Sequence, residues 1–256
     1  MILNATELGS GPPVVLVHGL FGMARNLGTI QRALAQRWRV LAVDLRNHGS
    51  SPHAPGMDYD TMADDLKETL DARGYDGIAL MGHSMGGKTC MRFALRHGAT
   101  VKRLCVADIA PVAYRPRNGP VVAALRRIPV GSAVTRAEAE AILEPDVPEK
   151  PVRAFLLQNL EFGPQTRWRI GLDEIEDGLH DIESWPESEG MAYEGPTLFV
   201  AGDRSEFINP GDREAMRTLF PHHRMATIKG AGHWVHVDNP SAFLGILESF
   251  LDTHRS

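Results

Sequence analysis

The sequence predicts an α/β fold built on a mostly parallel sheet, with a helical segment set into it. Three observations carry this. Short runs rich in Val, Ile and Leu recur along the chain, apolar throughout rather than alternating, as strands covered on both faces are. Segments with apolar residues at helical spacing lie between them, and strand–helix alternation implies parallel pairing through right-handed crossovers. The alternation stops between Pro111 and Gly195, where only helical patterns occur.

Taken in order, the predicted strands are "PVVLVHG" (13–19), "WRVLAVD" (38–44), "GIALMGHS" (77–84), "RLCVADI" (103–109), "TLFVAGD" (197–203) and "RMATIKG" (224–230), each read as buried. The intervening helices are 24–36 with Leu27, Ile30 and Leu34; 61–72 with Met62, Leu66 and Leu70; 86–97; and 241–253 with Phe243, Leu244, Leu247 and Leu251. Thr61 with Asp64 suits a capping box at the start of the second helix. In the interrupting segment, helices are expected over 119–127, 135–144, 149–161 and 170–180, with Thr135 and Glu138 forming another capping box and prolines punctuating the joins. The expected organisation is a core of residues 1–111 and 195–256 with a helical cap, 112–194, inserted after the strand 103–109. A structureless loop of that length would be unusual.

The chain has 256 residues, 43% hydrophobic and 23% charged, which are globular values and exclude a disordered chain. A net charge of −5 without a basic stripe argues against nucleic acid as a partner. No apolar run approaches the ~20 residues of a membrane helix, so no membrane span is expected. The N-terminal residues lack a basic region followed by an apolar stretch, so no secretory leader is expected. Cys90 and Cys105 sit among apolar or helical residues, and a reducing, cytoplasmic location follows as the expectation.

The chemistry begins at Gly82-His83-Ser84-Met85-Gly86, a G-x-S-x-G pentapeptide between a predicted strand and a predicted helix. A serine on such a turn has unusual backbone angles, and small neighbours let adjacent backbone pass close. Alone the pentapeptide is a glycine-rich turn; its context makes Ser84 a candidate nucleophile. A serine hydroxyl needs a base, usually a histidine oriented by a carboxylate. Among eleven histidines, His233 in "GAGHWVH" (230–236) is selected by position, on the loop between the last strand and the last helix. His236 is expected to pack or face solvent, His83 to point away, and His222 and His223 to lie in a polar turn. Acyl transfer also needs fixed N–H donors for the oxyanion. "HGLFG" (18–22), after the first predicted strand, supplies the N–H of Leu20, and the N–H of Met85 follows the nucleophile.

"HGLFG", "DLRNHGSS" (44–51), "GHSMGGK" and "GAGHWVH", in that order, resemble the α/β-hydrolase superfamily. "DIAPVAY" (108–114) and "RWRIGLDEI" in the cap bring the resemblance closer to its YbfF-like esterases and the related mitochondrial abhydrolase-domain proteins. The resemblance covers essentially the whole chain. It implies an α/β-hydrolase fold and a Ser–His–acid hydrolase of esters or thioesters with a helical cap, in a family that includes acyl-CoA thioesterases. Asp44, Arg46 and His48 are read as loop organisers and left out of the site.

The family's usual acid position, after "TLFVAG", holds Ser205, which carries no charge. Asp108, at the end of "RLCVA", is therefore the expected acid, and it preserves the order nucleophile, acid, base. Asp203, two residues early, and Glu206, one residue late, stay open as alternatives.

The expected activity is hydrolysis of small-to-medium acyl esters or acyl-CoA-type thioesters through an acyl-enzyme. Phe21, Met85 and Trp234 flank the reacting groups as candidate substrate contacts, with Phe155 and Trp168 of the cap. Perhydrolase or carbon–carbon bond hydrolase chemistry on the same triad, and a non-catalytic ligand-binding protein, are the rival readings. Gly82-x-x-x-x-Gly87-Lys88-Thr89 formally matches a phosphate loop, but that reading leaves "HGLFG" and "GAGHWVH" unexplained. No metal site and no cofactor are expected.

Overall fold

The computed structural model describes residues 1–252. The expected helix end at 253 and the remainder of the core segment to 256 lie outside the described residues. The strands are β1 (Ala5–Leu8), β2 (Pro13–Val17), β3 (Arg39–Val43), β4 (Ile78–His83), β5 (Val101–Ala107), β6 (Leu160–Glu161), β7 (Arg167–Trp168), β8 (Thr197–Gly202) and β9 (His223–Ile228). Seven of them form one sheet in the order β1-β3-β2-β4-β5-β8-β9. Only β1 runs antiparallel to its neighbour.

The apolar runs behave as two-sided burial requires. Val14 and Leu16 of β2 and Val40 and Ala42 of β3 face one hydrophobic cluster; Val15, Val17, Leu41 and Val43 face the other. Side chains alternate across a strand, so only a run without polar interruptions fills both cores. Helices α1 (Gly28–Leu34), α2 (Tyr59–Ala72) and α3 (Met85–His97) cover the faces. The expected helix 24–36 opens instead with a 3₁₀ turn, Ala24–Leu27. The N-cap of α2 is Asp58 rather than Thr61: its carboxylate accepts the Thr61 N–H at 2.8 Å, so the helix starts two residues before Thr61.

Between β5 and β8 come α4 (Gly119–Arg126), α5 (Arg136–Leu143), α6 (Lys150–Leu156), α7 (Leu172–Asp177) and α8 (Leu179–Glu183). Thr135 and Glu138 form the expected capping box on α5. The helix expected to run to 161 ends at 156, giving way to a 3₁₀ turn and the small hairpin β6–β7, and the helix expected over 170–180 breaks at Gly178. After β8 come α9 (Arg213–Leu219), the short α10 (Val235–Asp238) and α11 (Pro240–Asp252). β9 is an edge strand with Met225 41% exposed, not the buried strand its apolar residues suggest. Among the described residues no helix is long and apolar enough to cross a membrane.

Candidate active site

Ser84 is the single residue between β4 and α3, held at φ 53° and ψ −123°. A non-glycine residue there is strained. The glycines around it are sterically required: a Cβ on Gly82 would lie 2.2 Å from the Gly86 carbonyl oxygen, and one on Gly86 2.3 Å from that of His18. This geometry disposes of the phosphate-loop reading. Gly82 to Thr89 is a strand end, one turn residue and the opening of a helix, with no loop to wrap a phosphate. Lys88 turns into the protein, where its Nζ donates to the Ser184 carbonyl at 2.6 Å. Burial pushes its pKa down to about 7.

The loop after β9 brings His233 over the end of the sheet. Its Nε2 stands 3.0 Å from Ser84 Oγ and its Nδ1 2.8 Å from Asp108 Oδ2. The network sets the tautomer: Nδ1–H donates to the carboxylate and Nε2 accepts the serine hydroxyl. Asp108, fully buried at the end of β5, has φ 54°. Its Oδ1 accepts the Gly202 N–H at 3.0 Å, and its Oδ2 also accepts the Ser205 hydroxyl. The two alternative acids lie elsewhere. Asp203 accepts the Gly230 N–H at 2.7 Å and so shapes the histidine loop from outside, while Glu206 is exposed and contributes its carbonyl to the Asn209 side chain.

Several further groups support this arrangement, and of these sequence reasoning missed Phe207. Phe207 stacks on the His233 ring, centroids 3.9 Å apart and planes 24° apart. His83, expected to point away, lines the same cavity as Ser84, its ring 4.8 Å from that of His233, and its Nε2–H donates to the His233 carbonyl at 2.9 Å. His236 is buried, its ring 4.6 Å from that of His83. Asp44 accepts the N–H groups of Ala24 and Ser50, Arg46 pairs with buried Asp65 at 2.6 Å, and His48 Nε2 accepts the Phe21 N–H, so all three organise loops.

A cavity of about 320 Å³ opens at Ser84. Leu20, Phe21, Met85, His233 and Trp234 line it from the sheet side; Val121, Val152, Phe155, Leu156 and Ile182 close it from the helical segment. Trp168 does not line it. It sits in the β6–β7 hairpin and borders a separate open depression with Val130 and Gly131, because the chain leaves the helical path at Leu157 and carries it away. The N–H groups of Leu20 and Met85 donate to no other group among the described residues.

Fold and site together define an α/β hydrolase, and the chain belongs to that family: residues 12–240 match the model described as alpha/beta hydrolase fold. Within it the chain is YbfF-like. It is 38% identical over 250 residues to "Esterase YbfF" of Escherichia coli K12, covering 97% of this chain and 96% of that protein. It is 40% identical over 249 residues to "sn-1-specific diacylglycerol lipase ABHD11" of Mus musculus, covering 94% of this chain and 81% of that one. A solved structure titled "Marine microorganism esterase" superposes with a TM-score of 0.94 at 36% identity, covering 97% of this chain and 99% of the other. The chain is thus similar to carboxylesterase-type hydrolases along nearly its whole length.

Proposed function

We propose that the chain hydrolyses small-to-medium acyl esters or acyl-CoA-type thioesters, with Ser84 as nucleophile, His233 as general base and Asp108 as the acid of the triad. The observation that supports this most is the in-line set of hydrogen bonds from Ser84 through His233 to a fully buried carboxylate, at the mouth of an apolar cavity. Ser84 Oγ attacks the acyl carbonyl as its proton passes to His233 Nε2, and the carbonyl electrons move onto oxygen. The N–H groups of Leu20 and Met85 receive that oxyanion. Collapse of the tetrahedral adduct breaks the bond to the alkoxide or thiolate, which takes the proton from His233. Water then attacks the acyl-enzyme, its proton going to His233 and on to Ser84 Oγ as the acid departs.

Asp108 holds the imidazole in the productive tautomer and offsets the imidazolium charge. The segment 112–194 acts as the cap in this reading, because its apolar side chains shape the wall that faces the acyl chain. A small-molecule ester or thioester is the partner, and no cofactor is called for. A cytoplasmic setting fits two buried, unpaired cysteines. The test is fluorophosphonate labelling of wild type and Ser84→Ala, with p-nitrophenyl esters of rising chain length assayed beside acyl-CoA thioesters. Labelling and turnover confined to wild type are expected; a Ser84→Ala protein that keeps a tenth of the wild-type rate would overturn the assignment.

A further inference from the structure

The Leu20 N–H lies in a turn that accepts a hydrogen bond from a residue 138 positions away. Gly19 O accepts the Gly22 N–H at 2.9 Å, closing a β-turn over residues 19–22. It also accepts His18 Nδ1–H at 2.8 Å. The Gly19 carbonyl and the Leu20 N–H belong to one trans peptide and point in opposite directions. Anchoring that carbonyl in the protein therefore aims the Leu20 N–H outward, toward the cavity that Leu20 lines. The third residue of the turn is Phe21, at φ 60°, a conformation that turns of this kind reserve for glycine or asparagine.

A phenylalanine stays in that conformation only if its surroundings over-determine it. Two side chains do so, and both are buried. His48 Nε2 accepts the Phe21 N–H at 3.1 Å, and Asn159 Nδ2 donates to the Phe21 carbonyl at 2.8 Å. The second Asn159 amide proton goes to the Leu156 carbonyl at 3.2 Å, while its Oδ1 is buried without a partner. The amide is thus oriented by its donors: flipped, it would turn oxygen toward two carbonyl oxygens. Asn159 lies in the 3₁₀ turn after α6, within the helical segment.

We propose that Asn159 is a positioning residue for the oxyanion site, holding the strained Phe21 turn so that the Leu20 N–H stays aimed at the reacting oxygen. It rests on the reading of Leu20 as an oxyanion donor. The helical segment then does more than wall the pocket; it sets the geometry in which charge develops.

The experiment is a double-mutant cycle between Asn159→Ala and Phe21→Gly, read as kcat and KM on p-nitrophenyl butyrate. Losing an oxyanion donor outright lowers kcat by about 10²–10³, so a misaimed one should lower it by about 10–100-fold with KM little changed. Glycine adopts φ above zero without strain. In the Phe21→Gly background, Asn159→Ala should therefore lower kcat by no more than about threefold. Butylboronic acid, whose tetrahedral adduct on Ser84 places an oxygen in the oxyanion site, should lose affinity for Asn159→Ala in parallel with kcat/KM. Asn159→Leu, of similar volume but without the donor, should match Asn159→Ala and covers the case in which the cavity left by alanine prevents folding. Gln158→Ala, which cuts the adjacent contact to Asn26 (2.8 Å), should leave kcat unchanged. Equal losses from Asn159→Ala in both backgrounds, or a Gln158→Ala loss as large, would overturn the proposal in favour of general packing of the segment. Fluorophosphonate labelling of wild-type Ser84 keeps the two readings apart: labelled wild type with an unaffected Asn159→Ala sinks this inference alone, whereas unlabelled wild type removes its foundation.

Discussion

Ser205 donates its hydroxyl hydrogen to the same Asp108 oxygen that accepts Nδ1–H of His233. The residue at the family's usual acid position thus keeps a place in the hydrogen-bond chain, as a donor to the carboxylate rather than as the carboxylate itself. Ser205→Ala leaves Asp108 with the Gly202 N–H and His233 as partners. A hydrogen bond to a charged group contributes about 1.5–3 kcal/mol. Activity should fall by about tenfold, with the larger part in kcat. A variant indistinguishable from wild type in steady-state assays would make this bond incidental.

Removing the acid should have a far larger effect. Asp108→Asn should lower kcat by about 10³–10⁴, since the imidazole loses both its tautomer and its charge partner. Asp203→Asn and Glu206→Gln should stay within a few-fold of wild type. Their order in a parallel kcat comparison decides the assignment, and a crippled Glu206→Gln beside an active Asp108→Asn would reverse it.

Chain-length preference should respond to Phe155 and not to Trp168. Phe155 lines the cavity, its ring 6.0 Å from that of Trp234, whereas Trp168 packs in the hairpin and borders a separate depression. Phe155→Ala should move the optimum toward longer acyl chains in graded steps, one methylene being worth ~1–3 kcal/mol. Trp168→Ala should leave the profile of kcat/KM against chain length where it was.

Acid should destabilise the fold well before carboxylates titrate. Burial holds His18 below its ordinary value, His48 at about 3, His83 well below 6.5 and His236 at about 4. All four are harder to protonate in the folded protein than in the unfolded chain, where histidine titrates near 6.5. The unfolded state therefore binds more protons below about pH 6.5, and stability falls as pH drops through that value toward 4. Urea midpoints measured from pH 8 to pH 5 should decline on the acid side. The decline should be shallower in His236→Phe, which removes a ring whose Nδ1 is buried without a partner. Midpoints constant down to pH 5 would contradict this.

What was legible in the sequence follows from where the information is local. β2, β3, β4, β5 and β8 are buried on both faces and announce themselves as unbroken apolar runs. β1, "ATEL", has three exposed residues of four and carries no such signal. Ser84 stands out because close backbone approach demands glycine at 82 and 86, and His233 because its loop turns at Gly230, φ 77°. The contributions of Phe207, His48 and Asn159 arise only when distant segments meet, and no spacing rule encodes a contact across 138 residues. Asp108 follows from the sequence by elimination, because Ser205 carries no charge, whereas the bond between the two joins segments 97 residues apart.

The position of Asp108 at the end of β5 has a mechanical consequence. β4 and β5 are adjacent and in register from Ala79–Arg103 to His83–Ala107, and the Ser84 N–H donates to the Ala107 carbonyl at 3.0 Å. Ser84 and Asp108 are thus held to each other through two strands at the centre of the sheet. His233 is carried on a separate loop, between β9 and α10. Pairing of these two strands is enough to set Ser84 against Asp108, whereas His233 meets both only through the loop after β9.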